Sequence, residues 1–222
     1  NLEEVILATT KIEASNIATG AVPSTGFTSV QIFTAASTWT KPTDITKVVV
    51  EVQGAGGAGA RHTTAGNCGG GTAGGYVMSV LDVTDIDKAT VVIGSGGVGT
   101  NTNGAGADGG LSSFAKHTGS GTFVTLSATG GNGGDGVYET GTQGVGGTGP
   151  SGALIISSGN TGGGLGTEWF GGESKFGFAG TAAYNSYTQY PNASGYGAGG
   201  GGAYTITAGS GTGGLVIVWE YK

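Results

Sequence analysis

Runs of glycine recur along the chain and separate its other sequence patterns. The main runs lie at residues 54–59, 69–75, 94–99, 130–134, 144–149, 162–166 and 197–202. Their spacing is irregular, which excludes a solenoid with a fixed repeat. The chain has only 4 Pro, and Gly does not recur at every third position, so collagen is excluded as well.

The number of glycines indicates that the fold requires them. Gly occupies 52 of the 222 positions. Ordering them costs roughly 26–52 kcal/mol, at about 0.5–1 kcal/mol each relative to Ala. The net stability of a domain is only about 5–15 kcal/mol. A flexible linker is the alternative, but the chain carries 3 Trp, 8 Tyr and 7 Phe and ends in a valine-rich strand, which linkers do not.

An arrangement that requires so much glycine is a stack of extended, threefold helices of the polyproline II type. Such helices make no internal hydrogen bonds, so their N–H and C=O groups must bond to neighbouring helices. Only chains without Cβ atoms can approach closely enough. We therefore predict a bundle of polyglycine II helices with little or no α-helix. A set of larger apolar residues is expected to seal its faces against β elements: Leu111, Phe114, Leu126, Leu154, Ile155, Ile156 and Leu165.

Strand patterns flank the glycine runs. Residues 30–34 alternate, residues 47–53 and 215–220 are valine-rich, and residues 76–80 and 90–93 are also β-like. Residues 39–42, Trp-Thr-Lys-Pro, are predicted to form a turn. We expect residues 48–53 and 215–220 to pair in a small sheet that closes the intervening chain like a clasp. The predicted fold is thus mostly β and irregular.

Residues 1–29 differ from the rest, and we predict that they are a connector or stalk end that joins an upstream fibre. Residues 30–222 then form one glycine-rich domain. The net charge is −6, and the eight Lys and Arg residues are scattered singly, so no nucleic-acid-binding surface is indicated. No apolar run reaches the roughly 20 residues that span a bilayer. We expect no nucleic-acid partner, and we expect that the chain is not embedded in a membrane.

Three motifs resemble functional sites without their required context. Residues 54–59 fit G-x-G-x-x-G, but no helix pattern follows, so dinucleotide binding is rejected. Residues 130–138 fit the calcium-binding nonapeptide, but adjacent copies are needed to share each ion and are missing. Cys68 has His62 nearby, yet nothing marks a base and an orienting group. No cofactor, metal site or catalytic residue is predicted.

Aromatic residues concentrate between residues 169 and 196, in segments rich in Asn, Ser, Thr and Gly. This mixture is typical of binding loops, where rigid amphipathic rings lie among adaptable hydrogen-bonding groups. We expect Tyr184, Asn185, Tyr187, Gln189 and Tyr190 to be exposed on a loop. For Phe176 and Phe178, capping the glycine core is as well supported by the sequence as a place in a binding loop.

Taken in order, the motifs resemble the glycine-rich C-terminal domains of tailed-phage tail fibres, which are similar to adhesins built on a polyglycine II sandwich. The resemblance covers residues 30–222 and is carried by residues 38–42, 54–57, 74–76, 109–114, 128–134, 195–202 and 213–219. It implies a non-enzymatic tip that binds a bacterial outer-membrane protein or surface glycan. It also implies a place at the distal end of the virion's tail fibre, as a homotrimer or mounted on a trimeric fibre.

The family's receptor contacts lie in loops between glycine runs. Here the corresponding loops are residues 61–67, 100–103, 117–121, 137–143, 167–170 and 182–194. The candidate receptor-binding residues in them are Arg61, His62, Asn101, His117, Tyr138, Trp169, Phe170, Tyr184, Asn185, Tyr187, Gln189 and Tyr190.

Two alternatives come from other functional classes. An ice-binding protein would present a flat Thr or Ala face on a polyglycine II bundle. It would also need a short, strict glycine period, which this chain lacks. A surface-polysaccharide depolymerase would need carboxylates that converge in a groove.

Overall fold

The computed structural model describes residues 26–63, 68–135, 153–163, 169–181, 183–184 and 192–222. These residues contain fourteen strands and no helix. The strands are β1 (Phe27–Phe33), β2 (Ser37–Thr40), β3 (Lys47–Gln53), β4 (Arg61–His62), β5 (Tyr76–Asp82), β6 (Ile86–Val92), β7 (Ser112–Gly119), β8 (Leu126–Ala128), β9 (Ile155–Ser157), β10 (Phe176–Phe178), β11 (Ala183–Tyr184), β12 (Ser194–Tyr196), β13 (Ala203–Tyr204) and β14 (Leu215–Tyr221).

Two larger sheets pack against each other. A five-stranded sheet has the order β1-β14-β3-β5-β9, and a four-stranded sheet has the order β2-β6-β7-β8. The predicted clasp is confirmed, since β14 and β3 pair antiparallel with Leu215 opposite Gln53 and Glu220 opposite Val48. The chain thus returns to the strand from which it enters the first glycine run, which fixes both ends of the glycine-rich region.

The apolar core lies between these two sheets. Alternation along β3 turns Val48, Val50 and Val52 to the same buried face. From the four-stranded sheet, Trp39 and Phe114 meet them as an edge-to-face pair with ring centroids 5.8 Å apart. This aromatic geometry is favourable beyond the area that it buries.

A buried carboxylate links the two sheets as well. Glu220 of β14 accepts hydrogen bonds from the Trp39 indole at 2.7 Å, from the Gln31 amide at 2.7 Å and from the Ser29 hydroxyl. Its side chain is almost fully buried, so these donors replace the water that it loses on folding.

Several local predictions were wrong. Trp39 and Thr40 belong to β2 rather than to a turn, because Trp39 is drawn into the core and its strand pairs with β6. Phe114 and Leu126 are buried as predicted, whereas Leu111 is about half exposed. Leu154, Ile155 and Ile156 are also exposed, since β9 lies at the open edge of its sheet. Leu165 lies outside the described residues. The strand β1 begins at Phe27, inside the stretch assigned to the connector.

Between the strands, the described residues form ten stretches with little regular secondary structure, which we call glycine segments. They are residues 54–60, 68–75, 94–99, 104–110, 129–135, 158–163, 169–172, 178–181, 197–203 and 208–214. Their backbone hydrogen bonds run between segments. These bonds satisfy polar main-chain groups that would otherwise be buried without partners.

The hydrogen bonds of segment 54–60 repeat every three residues. Successive N–H groups donate to segments 68–75, 104–110 and 208–214 in turn, and then the cycle starts again. In the first direction the pairs are Gly54 to Gly75, Gly57 to Thr72 and Ala60 to Gly69; in the second, Ala55 to Gly110, Ala58 to Ala107 and Arg61 to Gly104; in the third, Gly56 to Thr212 and Gly59 to Gly209. The carbonyl groups accept from three further segments, 94–99, 129–135 and 197–203. Segment 54–60 is therefore surrounded by six neighbours.

Segment 68–75 shows the same period. Its N–H groups donate in turn to segments 129–135, 158–163 and 197–203. A Cβ atom added to Gly71 would lie within 3.0 Å of the backbone of segment 54–60. Because these neighbours are main-chain atoms, they cannot rotate away as a side chain could. Glycine at this position is required by close approach of the backbones.

Candidate functional site

The glycine segments bring several connections together at the end remote from the packed sheets. Segment 54–60 leaves β3 and ends at Arg61, whose N–H donates to Gly104 at 3.1 Å. The N–H of Thr205 donates to His62, and the N–H of Ala208 donates to Thr100. We call the surface formed by residues 61–63, 100–104 and 204–207 the distal end.

Arg61 holds this distal end together. Its guanidinium donates to the carbonyls of Ile206 and Thr205 at 3.0 Å and to the Asn103 side chain at 2.8 Å. The amide of Asn103 in turn donates to the Thr63 hydroxyl at 2.9 Å. The rigid fork of donors in Arg suits such multiple contacts. Arg61 was predicted to contact a receptor, and here its donors organise three connections of the chain.

A short parallel sheet supports the same surface. Its order is β11-β13-β4, with Ala203 opposite both Ala183 and Arg61. The backbone of Tyr184 lies in β11 beside Tyr204. Asn101 is exposed in the adjacent connection. The distal end therefore combines Arg61 and His62 with Asn101, which is distant from them in sequence, and the backbone of Tyr184 lies beside it.

The remaining predicted residues divide into three groups. His117 lies elsewhere, on β7, where its Nδ1 is 3.1 Å from the Thr90 hydroxyl. The side chain of Trp169 is only 1% exposed, so it belongs to the interior, whereas Phe170 is 45% exposed. Five predicted residues lie outside the described residues: Tyr138, Asn185, Tyr187, Gln189 and Tyr190.

A groove runs along the side of the glycine segments. It comprises two adjoining cavities of about 320 and 360 Å³, which share Asn160 and Glu173. The first cavity is also lined by Tyr76 and Lys175, and the second by Phe170. Phe170 therefore faces this groove rather than forming part of the distal end.

Lys175 is fixed at the wall of the groove. Its ammonium group lies 2.8 Å from a carboxylate oxygen of Glu51 and 2.5 Å from the hydroxyl of Tyr76. It also lies 4.1 Å from the centre of the Tyr76 ring, a cation–π contact. The Trp219 indole donates to the second oxygen of Glu51 at 2.9 Å. The loop that carries Lys175 is thereby attached to the outer face of the five-stranded sheet.

A family model described as a glycine-rich domain matches residues 31–221. The chain belongs to this glycine-rich domain family. A search of the curated proteins found no match to its sequence.

The cluster around Glu51 shifts the pKa values of two of its groups. Burial disfavours the charged form of Glu51, but hydrogen bonds from Lys175, Tyr76 and Trp219 outweigh burial, so the pKa of Glu51 is lowered. Burial raises the pKa of Tyr76, and the Glu51 carboxylate raises it further. At neutral pH the cluster therefore holds an ionised Glu51 and a protonated Tyr76.

Sequence reasoning missed the groove because its walls come from five separate parts of the chain. One signal was available in β3, where Glu51 interrupts a run of valines and needs a partner if buried. Nothing in the sequence shows that the partner is Lys175, which lies 124 residues further along.

Two further observations concern only the described residues. No group of three or more His, Cys, Asp or Glu side chains is placed to hold a metal ion. The same part of the chain contains no helix long and apolar enough to cross a membrane.

Proposed function

We propose that this glycine-rich domain is the receptor-binding tip of a tailed-phage tail fibre. In this proposal it binds a protein or glycan of the bacterial surface and catalyses no reaction. It forms the outermost part of the virion's tail fibre and is joined to an upstream fibre. It is either a trimer or mounted on a trimeric fibre. The resemblance of residues 30–222 to such domains supports the proposal.

The observation that carries the proposal is the three-residue period of the hydrogen bonds between glycine segments. It is the period expected if the segments are polyglycine II helices, and we propose that they are. Their close packing leaves little room for side chains between them. Binding groups must then lie on connections and outer surfaces, where a stiff support keeps them in place.

The test uses the purified 222-residue chain with a fluorescent label and a panel of bacterial strains with their phages. The chain should bind at least one strain and compete with adsorption of a phage to it. Combined substitution of Tyr184, Tyr187 and Tyr190 by Ala should abolish binding. The control is Lys88→Ala, since Lys88 is exposed on β6 and lies outside the predicted receptor-binding loops. Failure to bind any strain, or equal binding by both variants, would refute the proposal.

The alternatives have their own assays. Ice binding would appear as thermal hysteresis of a solution of the chain. Depolymerase activity would release new reducing ends from bacterial envelope glycans. A positive result in either assay, with no competition for phage adsorption, would replace the proposal.

A further inference from the structure

The side groove has the size and shape of a site for a small elongated ligand. Its two cavities, of about 320 and 360 Å³, each reach the usual range of about 300–1,000 Å³ for small-molecule sites. Asn160 and Glu173 line both cavities. A ligand that fills one cavity can therefore continue into the other past these two side chains.

Polar groups suited to hydroxyl recognition lie in the groove. Glu173 is exposed, and its carboxylate forms no hydrogen bond or ion pair with the described residues. The Asn160 side chain is also exposed, and only its backbone carbonyl is engaged, by the N–H of Ala73. Lys175 uses two donors on Glu51 and Tyr76, and an ammonium group has three. The groove thus offers acceptors and donors side by side.

Apolar surface accompanies these polar groups in both cavities. Phe170 is 45% exposed in the second cavity, and Ile155 is 44% exposed in the first. A partly exposed aromatic ring presents a flat apolar face, on which the C–H face of a sugar ring can lie. Flat rings beside hydrogen-bonding side chains match the amphipathic surface of a saccharide.

The charges of the groove select against an anionic ligand. The charge of Lys175 is balanced by Glu51 at 2.8 Å, which leaves the carboxylate of Glu173 without a cation among the described residues. The chain as a whole carries a net charge of −6. Phosphate or uronic acid groups would be repelled at short range. A neutral ligand is not repelled in this way.

The groove is also held in shape before a ligand arrives. Lys175 is fixed by Glu51 and Tyr76, and the Ser174 hydroxyl donates to the Tyr196 carbonyl at 2.5 Å. The second wall is backbone, where the N–H of Gly171 donates to Gly180 at 2.8 Å. Groups that are already ordered cost less conformational entropy on binding.

We propose that this side groove binds a short neutral oligosaccharide. Phe170 supports a sugar ring, and Glu173, Asn160 and the remaining donor of Lys175 bind its hydroxyl groups. The site lies apart from the distal end, so it adds a second binding surface to the domain. It does not depend on the receptor-binding role proposed above.

The test is ligand-observed saturation-transfer NMR on the 222-residue chain, with four neutral disaccharides as probes: maltose, cellobiose, lactose and diacetylchitobiose. At least one disaccharide should bind with a dissociation constant of about 20 mM or below. Phe170→Ala and Glu173→Gln should each weaken that binding about tenfold or more. The matched controls are Phe178→Ala, which removes a 74% exposed ring outside the groove, and Asp87→Asn at an exposed carboxylate. Both controls should bind as the unmodified chain does.

Three results would overturn this inference. They are no binding of any probe, equal binding by groove and control variants, or binding of N-acetyl-lysine amide in place of the sugars. Thermal unfolding of each variant shows that lost binding is not lost folding. Cell binding is measured in parallel. Groove variants that lose sugar but still bind cells separate this site from the distal end.

Discussion

Replacing a single central glycine by alanine tests how the glycine segments are held together. Gly57 lies in the middle of segment 54–60 and is bonded on both sides, to Thr72 through its N–H and to Gly200 through its carbonyl, each at 2.9 Å. A Cβ atom at this position would lie 2.8 Å from the amide nitrogen of Gly133 and closer still to the carbonyl of Asn132. All of these are main-chain atoms.

The cost of Gly57→Ala follows from this geometry. Restoring an ordinary contact moves segment 129–135 away by about 1 Å. That movement stretches its two bonds to segment 54–60, from Gly131 to Ala55 and from Gly134 to Ala58, both at 2.8 Å. Two weakened buried hydrogen bonds cost about 2 kcal/mol and the overpacking about 1–3 kcal/mol. We expect a loss of about 3–5 kcal/mol in the free energy of unfolding.

The same substitution at Gly213 is the matched control. A Cβ atom there would meet only the Gly94 carbonyl oxygen, at 3.5 Å, which is an ordinary contact. Gly213→Ala should change stability by less than about 1 kcal/mol, because a stiffer unfolded chain offsets small strain. In a thermal scan Gly57→Ala should unfold about 6–20 °C lower than the unmodified chain. Equal midpoints for the two variants would refute close backbone packing as the reason for these glycines.

Two other predictions concern Glu51 and Cys68. Because the pKa of Glu51 is lowered in the folded state, its contribution to stability is complete above its ordinary value of 4.5 and is lost as the pH falls through the folded-state pKa. The free energy of unfolding, measured by urea titration, should therefore fall less steeply in Glu51→Gln than in the unmodified chain as the pH drops below 4.5. An equal fall in both chains would show that Glu51 has no such role. Cys68 is buried, so a thiol reagent should label it far more slowly in the native chain than in guanidinium; equally fast labelling would place it on an exposed surface.

The strands illustrate how far sequence patterns reach. The valine-rich composition of β3 and β14 predicts that both are strands. Their pairing follows from the position of each beside a glycine run. Trp39 gave the opposite result. Its neighbours Lys41 and Pro42 indicate a turn, yet the indole is drawn between the two sheets, where it bonds Glu220 from the far end of the chain. Burial of the indole ring of Trp39 outweighed the local preference for a turn.

The candidate sites show a similar limit. Arg61 and Asn101 were predicted to lie on connections because polar residues between glycine runs have few other places, and the structure places both there. The sequence could not show that Arg61 would donate hydrogen bonds to Thr205, Ile206 and Asn103. Trp169 and Phe170 are neighbours in the chain, but one is buried and the other faces the groove. Which side of a glycine segment a residue faces depends on the segments around it.

The amino-acid sequence alone determined that the backbone, rather than large side chains, fills much of this domain. Ordering so many glycines has a large conformational-entropy cost, which only close backbone packing can offset. It also determined the sheet that brings residues 48–53 and 215–220 together. Only the tertiary structure decided which segments are neighbours, since glycine carries no side chain that distinguishes one run from another. The position of Lys175 against Glu51, and the groove beside it, are consequences of that arrangement in space.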